Sequence, residues 1–149
     1  NRPEGPITFP LLDGMETLSM DGKRVSKKDL GDGPQPDGFS TTFITGPMFM
    51  GVALFVDHAI SFALTPMAVD KSHFVVEWFV HEDAVEGVDY DSNELKEVFH
   101  VTNIEDKAFG ERNYRGINSL RFTPGPLNPT REDGVIGMYE QYRAMMAAD

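Results

Sequence analysis

The chain of 149 residues carries 24 acidic against 13 basic side chains, a formal net charge of −11, and contains no cysteine. That acidity argues against nucleic acid and anionic membrane surfaces as partners, because both would repel it. The missing cysteine excludes a disulfide, a thiol nucleophile and any cysteine-ligated metal or iron–sulfur cluster within this chain. The length suits one domain with a real core.

The chain opens NRPEGP, with no signal-peptide pattern and no initiator Met, as expected of a fragment or a processed product. Residues 1–46 are loop-rich: PEGP, LLDG, SMDGK and LGDGPQPDGFS are turn-forming clusters. Ile7–Leu12 and Phe39–Ile44 are candidate short strands, and Val25–Gly38 is expected to be an exposed loop.

Residues 47–86 read as an antiparallel meander. Its strands are MFMGVALFV (48–56), AISFALTPM (59–67) and HFVVEWFVHE (73–82), rich in β-branched and aromatic residues. The longest apolar run, Met48–Val56, is of strand length and far short of a bilayer span. The breaks at Asp57-His58 and Ala68–Ser72 are short enough for hairpins. On the third strand Phe74, Val76, Trp78 and Val80 share the drier face, and Val75, Glu77, Phe79 and His81 the other.

Residues 91–149 read as helical. Asp91 followed by Glu94 fits a capping box and predicts a helix to about Arg115, with Gly116 as its stop. Gly110 inside it costs about 1 kcal/mol relative to Ala. SLRFTPGPLNP is extended because its prolines bar a helix. Thr130 with Asp133 predicts the cap of a second helix, whose stripe of Val135, Met138, Tyr139, Tyr142, Met145 and Met146 is expected to be core packing. The outline is α+β: an antiparallel sheet followed by two helices, one packing across it.

Along the first helix Leu95, Val98, Phe99, Thr102, Phe109 and Asn113 fall on one side, with Asp106 in their midst. A carboxylate on an apolar contact surface needs a partner or a cation; otherwise the helix is rotated and Asp106 lies at a wet rim. His58, His73, His81 and His100 lack the four- or five-residue spacing of a helical metal-binding pair; His58 lies in a turn, His73 and His81 bracket a strand, and each of the three reads as a surface or strand-end histidine rather than a ligand. There is no Gly-rich phosphate loop and no nucleophile elbow.

The segment Glu94–Met146 resembles the end of the catalytic domain of Rieske non-haem iron oxygenase α-subunits, the ring-hydroxylating and quaternary-amine demethylating enzymes. Four blocks carry the likeness: VTNIED (101–106), ERNYRGINS (111–119), TPGPLNPTRED (123–133) and GVIGMYEQYRAMM (134–146). The resemblance implies a helix-grip, START/Bet v 1-like α+β fold present here in part, as the C-terminal portion of the catalytic domain. It implies that Asp106 is the carboxylate of a 2-His-1-carboxylate Fe(II) site, with Trp78, Phe99 and Thr102 as candidate pocket walls, for which plain core packing is the alternative. It further implies a cytoplasmic oxidoreductase that uses O₂ to hydroxylate, dihydroxylate or demethylate a small organic substrate. Electrons would come from NAD(P)H through a reductase or ferredoxin and a [2Fe-2S] Rieske cluster, in a homo-oligomer of trimer type. The HxxxxH helix and the two Cys of the cluster are absent from this chain, so by itself it should neither hold mononuclear iron tightly nor take up electrons. The alternative is a non-enzymatic helix-grip module that binds an apolar ligand in its cavity.

Overall fold

The computed structural model describes residues 7–32, 39–44 and 49–147. Five strands, β1 (Ile7–Phe9), β2 (Phe39–Ile44), β3 (Phe49–Leu54), β4 (Ala59–Ala68) and β5 (Lys71–Phe79), precede two helices, α1 (Ser92–Ile117) and α2 (Asp133–Met146). The strands form one antiparallel sheet in the order β1-β2-β3-β4-β5, so every neighbour in space is a neighbour in sequence. The fold class is therefore α+β. β5 ends at Phe79, three residues before the expected Glu82, and β4 runs on to Ala68 through an irregularity between Pro66 and Ala68.

The register explains the core. Ala53 faces Ile60 across β3 and β4, and Ile60 faces Trp78 across β4 and β5. Ala53, Phe55 and Ile60 are buried, with Leu18, Phe62, Val76, Trp78 and Phe99 packed around them. Strand alternation selects this set: Val76 and Trp78 turn inward, whereas Phe79 is 48 % exposed. On the outward face the Ser61 hydroxyl donates to Glu77 Oε2 across the pair (3.2 Å).

α1 starts where the sequence predicts. The Asp91 carboxylate accepts from the amides of Asn93 (2.7 Å) and Glu94 (3.4 Å), two of the donors a helix start leaves unsatisfied. The helix passes through Gly116 and stops at Asn118, whose side-chain amide donates to the Tyr114 carbonyl (2.7 Å). An Asn reaching back to a terminal carbonyl thus does what Gly116 was expected to do. Thr130 caps nothing either. α2 follows Glu132, and Asn128 Oδ1 accepts from the amides of Thr130 (2.9 Å) and Arg131 (3.1 Å) to shape the turn before it.

Two packing expectations are corrected. α1 does not lie across the sheet along its length: Leu95 is buried, Val98 and Phe99 are half-buried, and beyond them only Asn103 is sheltered. The Met and Tyr stripe of α2 is not core. Tyr142 is 54 % and Met146 62 % exposed, and no residue of α2 is buried. Amphipathic spacing shows that a face is apolar but not that something lies on it.

Candidate functional site

α1 carries Phe99, Thr102 and Asp106 of the residues singled out in the sequence and β5 carries Trp78, and the structure separates them into two groups. Trp78 and Phe99 come together on the Ala53–Phe55–Ile60 core, where the Phe99 ring lies 6.3 Å from that of Phe55 and 6.1 Å from that of Phe62. The indole N–H of Trp78 is buried and has no hydrogen-bond partner among the described residues. Thr102 and Asp106 lie farther along the helix, on its exposed length. The Thr102 hydroxyl donates to the Val98 carbonyl one turn back (2.9 Å), so its hydrogen bond is internal to the helix.

Asp106 is solvent-exposed, with no hydrogen-bond or ion-pair partner among the described residues. Its side of α1 is not covered by the described residues, since Thr102 is exposed and Phe109 is 71 % exposed. The carboxylate is a hard oxygen donor on a regular helix, which suits one arm of an iron site. No group of three or more His, Asp or Glu side chains able to hold a metal occurs among the described residues. The donor set therefore fits a single ligand and not a complete centre.

The buried polar residues lie elsewhere, at the β3–β4 corner. Asp57 is fully buried and His58 is 1 % exposed, so the reading of His58 as a surface turn histidine is overturned. Asp57 Oδ1 accepts from the Thr17 hydroxyl (2.8 Å) and pairs with His58 Nδ1 (2.8 Å). Asp57 Oδ2 accepts from the amides of Val25 (2.7 Å) and Ser26 (3.0 Å). The His58 ring stacks on Phe55 at 4.5 Å and 16°. Burial pushes the Asp57 carboxyl up, but hydrogen bonding to His58, that ring's charge and the donors from Ser26 and Thr17 outweigh it and hold the group down at about 2.

These contacts also correct the expectation that Val25–Gly38 is an exposed loop. Ser26 is buried and forms an antiparallel bridge with Tyr90, the Lys27 amide donates to Asp89 (2.9 Å), and the Leu30 amide donates to Val56 (2.8 Å). Residues 33–38 lie outside the described residues. A glycine shapes the start of the strap formed by residues 15–30. Gly22 sits at φ +77 with its carbonyl accepting from the Glu16 and Thr17 amides, and a Cβ there would meet Met15 Cγ at 2.9 Å.

The available signal for the corner was a tight Asp-His break without the Gly or Asn that a two-residue turn prefers. Beside the strap, a cleft of about 470 Å³ is lined by Arg24, Lys27, Lys28, Asp29, Asp32 and His81. Its cations are already engaged: Arg24 by Asp29, Lys27 by the Val88 carbonyl, and Lys28 by the Asp83 carbonyl and Asp89. No helix among the described residues is long and apolar enough to cross a membrane.

Comparison with known proteins adds the rest. The family model for the catalytic domain of the ring hydroxylating alpha subunit matches residues 10–148. The glycine betaine monooxygenase oxygenase subunit of Pseudomonas aeruginosa is 41 % identical over 140 residues, covering 94 % of this chain and 32 % of that protein. The protein of the same name from Chromohalobacter salexigens is 36 % identical over 141 residues, covering 92 % of this chain and 31 % of that protein. The chain thus spans about a third of the length of the curated relatives it matches. These likenesses do not favour a non-enzymatic ligand-binding module.

Proposed function

Since the chain belongs to the family of ring-hydroxylating oxygenase α-subunits, within its catalytic domain, we propose that it forms the C-terminal portion of that domain in an enzyme that oxidises a methyl group of a small quaternary amine such as glycine betaine. The observation that carries this reading is the 41 % identity to a glycine betaine monooxygenase oxygenase subunit over nearly the whole chain. Asp106, which closes the VTNIED block, is the carboxylate ligand to a mononuclear Fe(II). The two histidine ligands and a [2Fe-2S] Rieske cluster belong to the remaining polypeptide. When bound, the iron supplies the redox chemistry that couples O₂ reduction to oxidation of a C–H bond.

This chain's own part is to bind and orient. α1 presents Asp106 on a regular helix, which holds a ligand more precisely than a loop does. Trp78 and Phe99 form an apolar wall at the root of that helix, with Thr102 one turn short of Asp106 on the same side. The helix-grip, START-like form is completed by the rest of the domain, which covers the apolar side of α1. An NAD(P)H-dependent reductase or ferredoxin delivers the electrons, and the working enzyme is a homo-oligomer. Hydroxylation of an N-methyl group consumes O₂, two electrons and two protons and yields water and an N-hydroxymethyl product. That product releases formaldehyde and leaves the amine with one methyl group fewer.

The test is iron content and formaldehyde release by the full-length subunit, supplied with its electron donor and glycine betaine, for wild type and Asp106→Ala. The expected result is one equivalent of mononuclear iron and substrate-dependent formaldehyde for wild type. The variant should lose both while remaining folded and keeping its cluster. Equal iron in both proteins would remove Asp106 from the site, and absence of formaldehyde from an iron-loaded, reducible wild type would remove the substrate class.

A further inference from the structure

We propose that Asn103 is a positioning residue for the Asp106 carboxylate, its side-chain amide donating a hydrogen bond to that carboxylate; this rests on Asp106 being the iron ligand. A carboxylate that binds a metal is itself held by hydrogen bonds, which set the direction its oxygens face. On a helix the side chains within reach of a given residue are those three and four positions away, at about 5–6 Å between Cβ atoms, whereas adjacent residues face elsewhere. For Asp106 these are Thr102, Asn103, Phe109 and Gly110.

Three of the four cannot donate. Phe109 is apolar and Gly110 has no side chain. Thr102 has one hydroxyl proton, and it goes to the Val98 carbonyl (2.9 Å). Lys107, adjacent in sequence, is turned to Glu111 at 4.0 Å. Asn103 is left, and its NH₂ group carries two donors. This choice is made within one helix, so it holds whatever else of the domain packs on α1.

Asn103 also breaks local preferences that nothing else in the chain accounts for. It is half-buried between the exposed Thr102 and Ile104, one turn beyond Phe99, whose ring packs toward those of Phe55 and Phe62. Its amide has no hydrogen-bond partner among the described residues. Asn118 and Asn128, by contrast, hold backbone groups at the end of α1 and at the turn before α2. Asn is a poor helix former because its side chain competes for backbone hydrogen bonds. A sheltered amide without a partner also gives up hydration with no return. Such a residue within one turn of Asp106 is where the demands of a site override those of the helix.

The experiment compares Asn103→Leu, Asn103→Ala, Asn103→Gln and Asp106→Ala in the full-length subunit. Leu keeps the branching of Asn without the donor, Ala removes the side chain while favouring the helix, and Gln keeps the NH₂ group one methylene farther out. Three quantities are read: Fe(II) affinity by competition with a chelator, Rieske cluster content, and the electron paramagnetic resonance signal of the iron after loading with nitric oxide. The expected result is about 10- to 100-fold weaker Fe(II) binding in Asn103→Leu and Asn103→Ala, as for loss of other supporting contacts behind metal ligands. An altered nitric oxide signal at saturating iron should accompany it, with unchanged cluster content and most of the affinity kept in Asn103→Gln. Iron affinity and signal equal to wild type in a folded Asn103→Leu would overturn the proposal. If that variant does not fold, the same result in Asn103→Ala overturns it. A Gln variant as weak as the Leu variant overturns it as well, because the donor would then not be what matters. Iron retained in Asp106→Ala would instead sink the ligand assignment, so the two failures are distinguishable.

Discussion

Replacing Asp57 by Ala should release the strap over residues 15–30 while the sheet stays folded. The carboxylate accepts from the Thr17 hydroxyl and the Val25 and Ser26 amides and pairs with His58, all at 2.7–3.0 Å. Ala leaves two backbone donors and a hydroxyl without their acceptor. An orphaned buried donor costs about 1–3 kcal/mol, so losing the acceptor for three of them costs several kcal/mol altogether. Water entering the vacated space recovers part of this, so we expect about 3 kcal/mol. That is a large fraction of the 5–15 kcal/mol by which a typical domain is stable, yet less than the whole. At about 1.4 kcal/mol per factor of ten, the opening equilibrium of the strap should rise about 100-fold. Amide hydrogen exchange followed by mass spectrometry on peptides covering residues 15–30 measures this directly. Faster exchange confined to the strap and the start of α1 is expected. Wild-type protection at Val25 and Ser26 in a folded Asp57→Ala protein would refute the account of the corner.

Acid should act on the same group. Asp57 titrates at about 2 when folded, below the ordinary 3.8, so its charge contributes about 2 kcal/mol that is fully present above pH 4 and lost as pH falls from about 3.8 through 2. Urea midpoints between pH 5 and pH 2.5 should fall more steeply for wild type than for Asp57→Asn, and parallel slopes would exclude the pairing. Gly22→Ala forces a side chain into positive φ and against Met15 Cγ, so it should lower stability by about 1–2 kcal/mol, read as a lower melting temperature. Asp91→Ala removes the acceptor for the Asn93 and Glu94 amides and should cost about 1 kcal/mol. That loss should be seen as faster exchange in the first turn of α1, with the last turn unchanged.

What could be read along the chain was local and periodic. Alternation over 73–80 places Val76 and Trp78 inward, because successive strand residues face opposite sides whatever else the chain does. Asp91 announces the start of α1 because a cap is a contact within three residues. The end of α1 was misplaced for a related reason. Both Gly116 and Asn118 are competent stops, and the choice fell to a hydrogen bond from Asn118 to Tyr114 that composition does not rank. The α2 stripe shows the limit of periodicity: Val135, Met138 and Tyr142 share a face, but their coverage depends on neighbours that spacing does not name.

By itself the sequence determined the meander and the two helices and, through four blocks, membership of a known family, on which the proposal of Asp106 as the iron ligand rests. Only the tertiary structure decided which acid is buried. Asp57 and His58 look like an ordinary turn, and the donors that make their burial tolerable are 40, 32 and 31 residues away, at Thr17, Val25 and Ser26. Desolvating a charge costs more than any local preference supplies, so its place is set where distant donors converge, and convergence is a property of the folded chain.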